Sequence, residues 1–252
     1  MDKNDLPKTP SRLSDLPAAY RLAGKAIPYF WALTVASGAA GLYAAFFLAL
    51  PDARQGETFR IIFLHVPASW MSLFIYLCMA FLAALALFFH ARASSILLSA
   101  LAPTGALFTF LSLSTGALWA KPIWGTWWVW WDARLVSELV LFFMYVGFIA
   151  LASAIEDPRR ADKASALLAL VGVVNIPIVY FSVRWWHTLH QGYSITLTRP
   201  PAMAPVTFWG IVLCVLACTA YAAAVALMRF RNTVLDRERD AEWVRETLAT
   251  GS

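Results

Sequence analysis

The sequence predicts an all-α integral membrane protein of six transmembrane helices. Three observations predict it. Of 252 residues, 60% are hydrophobic and only 14% charged, more apolar surface than one soluble core hides. The apolar residues gather in six runs of about 20 or more, the length that crosses a bilayer. None of these runs alternates with the two-residue period of barrel strands, and in hydrocarbon a backbone that must satisfy its own hydrogen bonds is then helical.

The runs cover Ile27 to Leu50, Ile61 to Phe89, Ile96 to Leu118, Leu135 to Ile155, Ala164 to Val183 and Pro205 to Phe230. They form one membrane domain, residues 27–230, between a polar arm (1–26) and a charged tail (231–252). Run 1 is longer than a signal-peptide core and comes after a long polar stretch, so it is expected to stay as an anchor. In run 2, Pro67 of "IIFLHVPASW" suits the first turn of a helix, where its missing N–H has no partner to lose. That sets His65 at the mouth of the helix, and Ala68, Ser69 and Ser72 beyond it form a strip of small residues that admits a bulky group. His90, at the other end of run 2, reads as a structural or surface residue.

Run 3 carries Gly105, Ser112, Ser114, Thr115 and Gly116, the small residues of a close-packing helix. Between runs 3 and 4 comes "KPIWGTWWVWWDARL", with five tryptophans in eight residues. A helical conformation there would put Trp124, Trp127, Trp128 and Trp131 on one face. Glu138, one turn into run 4, reads equally as a functional acid near the outer membrane boundary or as a partner for Arg134 four residues before it. Asn175 and Pro177 predict a kink in run 5. Cys214 and Cys218 of run 6, like Cys78 of run 2, read as small packing residues rather than disulfide partners. The tail reads as a solvated helix continuing run 6, with docking to a cytoplasmic partner as the alternative.

Of the twenty Lys and Arg residues, fourteen fall in the arm, the loops after runs 2 and 4, and the tail counted with Arg229 at the end of run 6. Retained loops carry that excess, so both termini are expected in the cytoplasm and the tryptophan loop (about 119–134) outside. The net charge of +5 is largely this topology signal, and no basic stretch interleaved with aromatics suggests a nucleic-acid partner. The chain has no Cys-x-x-Cys-His, no phosphate-cradling glycine loop and no evident pair of nucleophile and base. It therefore reads as a non-enzyme, and any ATP-driven step falls to another subunit.

On this topology ten of the twelve tryptophans lie near the outer interface, where an anchoring belt would populate both sides. His65, His187 and His190 fall on the same side, the last two in "VRWWHTLHQG". Trp119, Trp124, Trp127, Trp128, Trp130 and Trp131 thus form a candidate platform for something flat and apolar. A flat ligand whose metal takes imidazole nitrogen axially, with an anionic edge suited to Arg or Lys, is haem. The candidate propionate or loop contacts are Lys121, Asp132, Arg134 and Arg184, with Arg60 a further candidate.

The segments "RIIFLHVPASW", "WGTWWVWWDARLVSELVL" and "GVVNIPIVYFSVRWWHTLHQG" resemble those of the CcmC family, the haem exporter C proteins of bacterial cytochrome c maturation. The resemblance runs from about Phe59 to Gly192. It implies six helices with a periplasmic tryptophan-rich loop in the bacterial inner membrane, and haem b as a transported ligand whose iron is held by His65 and His190. It also implies delivery to a periplasmic haem chaperone, beside an ATPase subunit, a second membrane subunit and a small single-helix protein of an ABC-type complex. Two departures stand out. Trp131 occupies the place of the family's aspartate, with Asp132 one residue late, and on a helix that extra residue turns every later side chain by about 100°. His187 stands where the family has asparagine, and is the alternative ligand to His190. Two other readings are a haem lyase or synthetase subunit acting on apocytochrome c, which usually has more helices, and a permease for a small hydrophobic solute.

Overall fold

A computed structural model describes residues 15–192, 194 and 200–250, so the basic residues Lys3, Lys8, Arg12 and Arg199 lie outside the described residues. The described chain is helical, with six stretches long and apolar enough to cross a membrane. Helix α1 (Leu16–Tyr43) starts well before the apolar run: Asp15 accepts the Ala18 N–H at 3.1 Å and a proline sits in the first turn. It continues as a π-helical turn, Ala44–Leu48. A turn built on Asp52, which accepts the N–H groups of Arg54 and Gln55, leads into a 3-10 turn, Glu57–Ile61, and then α2 (Ile62–Phe89).

Helical structure therefore begins ahead of Pro67, which sits inside α2 rather than opening it. The 3-10 turn supplies the nucleus, so the proline is not needed as a start signal, and His65 falls in the first turn of α2. His90 caps α2 in the left-handed conformation (φ 54°), which agrees with a structural role.

Helix α3 (Arg92–Trp124) runs past the end of its apolar run and stops at Gly125, whose φ of 75° favours glycine. Helices α4 (Ala133–Ala154), α5 (Pro158–Gly172) and α6 (Asn175–Trp185) come next, α5 and α6 being one crossing broken at Val173 and Val174. The kink expected from Asn175 and Pro177 is this break. Asn175 donates its side-chain N–H to the Ser137 carbonyl at 3.0 Å and so ties α6 to α4. The last crossing is α7 (Pro205–Arg237).

The core lies among α2, α3, α4, α5 and α7, around Met71, Tyr76, Met79, Leu141, Tyr145 and Phe148. Small residues make the close approaches. A Cβ on Gly105 would lie 2.1 Å from the Tyr145 ring, and one on Gly41 would lie 2.7 Å from Cys214 Sγ. The expectation of close packing along α3 and of Cys214 as a packing residue is met.

The tail departs from a simple extension. α7 continues to Arg237, and then α8 (Glu242–Thr250) turns back onto its own end of the bundle. Trp243 packs edge-on against Tyr20 (5.7 Å), Arg237 makes two hydrogen bonds to Asp162, and Arg92 pairs with Glu238. Tyr20 also takes Arg231 over its ring and on its hydroxyl.

Candidate functional site

At the end of the bundle opposite this clamp, a cavity of about 740 Å³ opens between α2, α3, the start of α4 and α6. His65 and His190 both line it, with ring centroids 6.4 Å apart. Each ring has its Nδ1 engaged. The Thr115 hydroxyl gives its proton to the Leu111 carbonyl at 2.6 Å, so at 3.1 Å from His65 it accepts from Nδ1–H. The His190 Nδ1 lies 2.9 Å from the Gln191 carbonyl, an acceptor only. Both contacts favour the tautomer that leaves Nε2 with its lone pair. Burial, with the positive charge of Arg134, holds His190 below the ordinary histidine range and keeps it neutral at neutral pH.

Metal–nitrogen bonds of about 2 Å would place two opposed imidazole centroids roughly 6 Å apart, close to the spacing observed. Among the described residues no three His, Cys, Asp or Glu converge on a metal-ion cage. The pair suits a metal whose other ligands arrive with it, as a porphyrin supplies them.

Positioning begins with Gly116: a Cβ there would lie 2.9 Å from the His65 Cε1, so glycine lets the imidazole lie against α3. Trp119 meets His65 edge-on at 5.7 Å. It is held by its indole N–H, which donates to Gln55 Oε1 at 2.8 Å. Asp132 is fully buried. One carboxylate oxygen caps α4 by accepting the N–H groups of Arg134 (2.9 Å) and Leu135 (3.2 Å). The other accepts the Leu189 N–H at 2.7 Å, next in sequence to His190.

Because Asp132 starts a new helix after an irregular stretch, the helical rotation expected from the extra tryptophan does not apply. The tryptophans divide. Trp119 and Trp124 are on the cavity wall, while Trp127, Trp130 and Trp131 are exposed and Trp128 packs edge-on against Trp130. The single helical face expected for Trp124, Trp127, Trp128 and Trp131 does not form, since Gly125 ends α3 in the left-handed conformation.

Arg134 lines the cavity but is already paired, with Glu138 (2.9 Å) and the Ser69 hydroxyl (2.6 Å). Glu138 in turn accepts from Ser72, whose carbonyl accepts from Tyr145. Of the small-residue strip, Ser69 reaches the cavity while Ala68 and Ser72 are buried within the bundle. Arg134→Ala leaves a buried carboxylate unpaired and is expected to cost about 3–5 kcal/mol, most of it recovered in R134M/E138M. Thermal unfolding of the detergent-purified proteins checks this, and a single variant as stable as wild type would refute it.

The other candidates lie off the cavity wall. Lys121 donates to the Gly125 carbonyl and sits over the Trp127 ring. Arg184 is in the last turn of α6, Arg60 binds Glu57 and the Ala45 and Ala49 carbonyls, and His187 is exposed. Gln55, Trp70, Leu189 and Gln191 line the cavity without having been singled out as ligand contacts. Trp70 carried a signal in its place in "HVPASW", as Leu189 and Gln191 did in "HTLHQG"; Gln55 carried none.

The profile of the family described as Heme exporter protein C matches residues 10–245. A Heme exporter protein C of Escherichia coli (strain K12) is 44% identical over 242 residues, covering 96% of this chain and 97% of that protein. One of Bradyrhizobium diazoefficiens is 41% identical, covering 86% and 81%. A putative cytochrome c biosynthesis ccmC-like mitochondrial protein of Marchantia polymorpha is 44% identical, covering 71% and 73%.

Proposed function

The chain belongs to the Heme exporter protein C family, and from that premise we propose that it holds haem b between His65 and His190 at the periplasmic face of a bacterial inner membrane. There it hands haem to a periplasmic chaperone for cytochrome c maturation. The observation that carries the reading is the pair of imidazoles 6.4 Å apart, each anchored through Nδ1 with Nε2 left to bind metal. His190 is preferred to His187 because it lines the cavity and His187 does not.

Trp119 and Trp124 cover the porphyrin. Gln55, Gln191 and Arg134 form the polar side of the cavity, toward which the propionates point. Exposed Trp127, Trp130 and Trp131 form the surface on which the chaperone docks. Both termini lie in the cytoplasm, so the α8 clamp faces the ATPase subunit, while a second membrane subunit and a small single-helix protein pack along the bundle. Delivery is a ligand exchange: the incoming chaperone displaces one imidazole from the iron or approaches the exposed face of the haem, and takes it up through its own histidine.

The test is the visible spectrum of the protein purified from cells making haem and the chaperone, before and after incubation with fresh apo-chaperone. A haem absorption band that moves to the chaperone is expected. Folded protein that never carries haem would overturn the reading.

A further inference from the structure

The cavity does not end at the histidines. Along α2 its wall continues through Ile62, Val66, Trp70, Leu73 and Leu77. From His65 to Leu77 this is about 18 Å of helix. Its polar lining gathers near the histidine pair. The deep part is mostly apolar, with Leu73, Phe74 and Leu77 on one side and Ile176, Pro177, Tyr180 and Phe181 of α6 on the other, Tyr180 bringing the one hydroxyl. Trp70, Phe74 and Leu77 are also 56%, 48% and 47% exposed, so this side of the cavity is open to the surface of the bundle within a membrane-spanning stretch.

The gap has a structural cause. The crossing formed by α5 and α6 breaks at Val173 and Val174: α5 packs on both α2 and α4, whereas α6, held through Asn175 and Ser137, packs on α4 and barely touches α2. The two helices that flank the lower cavity therefore diverge.

We propose that the gap between α2 and α6 is a lateral doorway through which haem reaches the histidine pair from the bilayer, an inference that rests on the haem reading above. The polarity of the cavity argues for this occupant: a disc with one anionic edge, lying in hydrocarbon with its carboxylates at headgroup level, meets apolar groups deep and polar groups shallow. Moving the disc from lipid to an apolar groove changes its exposure to water little. The gain comes only when the imidazoles bind the metal, so the path has no trap before its end. Entry from water would require the flat face to pass the aqueous mouth unshielded.

The experiment uses the full chain in lipid nanodiscs and in detergent, with haemin as the probe. Haemin is dissolved in donor vesicles for one arm and added to detergent-solubilised protein for the other, and growth of the haem absorption band is monitored. Leu73→Trp and Leu77→Trp, which fill the groove, are expected to slow loading from vesicles at least about tenfold more than they slow loading in detergent. Leu77→Ala, which widens it, is expected to load at the wild-type rate or faster. Equal vesicle rates in all variants would overturn the doorway alone. So would a phospholipid that stays in the groove after haemin has bound. A wild-type protein that binds no haemin in either arm would overturn both the doorway and the haem reading.

Discussion

His190→Ala is expected to leave the chain folded and to lower its haem content at least about tenfold, while His187→Ala is without effect. Even an outer partner of a metal ligand is worth about 10–100-fold in affinity, so loss of the ligand itself is expected to do no less. The two residues are three apart on the same short segment, but His190 lines the cavity with its Nδ1 tied to Gln191, and His187 lies exposed outside it. His65→Ala should match His190→Ala in size and leave Thr115 without its imidazole partner. Haem per protein and the visible spectrum of each purified variant check the series. Haem lost in His187→Ala and kept in His190→Ala would reverse the assignment.

Asp132→Ala is expected to have the second large effect, through residues that do not touch the ligand. Loss of the α4 cap costs about 0.5–2 kcal/mol, and loss of a hydrogen bond from the Leu189 N–H to a charged acceptor about 1.5–3 kcal/mol. The segment carrying His190 is then untethered. The variant should therefore melt earlier in detergent, and its haem spectrum should resemble that of His190→Ala. Asp132→Asn, which keeps one acceptor oxygen for either the cap or the tether, should fall between Ala and wild type on both measures. A variant with lowered stability but an unchanged haem spectrum would show that Asp132 supports α4 alone.

Hydropathy located the six crossings but not their ends. It does not register that Leu16, Tyr20 and Ala23 bury themselves against Phe230 and Val234, so α1 starts eleven residues before its apolar run at Ile27. Nor does it register that α3 persists to Trp124. Residue chemistry marked the two histidines, because imidazoles and a dense tryptophan run are unusual in apolar surroundings. Helical periodicity misled where one glycine stops a helix, and Pro67 misled because the start it signals was already supplied by a 3-10 turn. Asp132 could not be read correctly by counting from the tryptophans. Its role depends on Leu189, 57 residues away, and no local pattern reports a tether of that kind.

The clamp at the far end of the bundle has a mechanical consequence. Tyr20, Arg92, Asp162, Arg237, Glu238 and Trp243 fasten α1, α3, α5, α7 and α8 to one another where the cavity is absent. Five helices tied to one another through side chains that never reach the cavity keep their register at that end without help from the cavity lining.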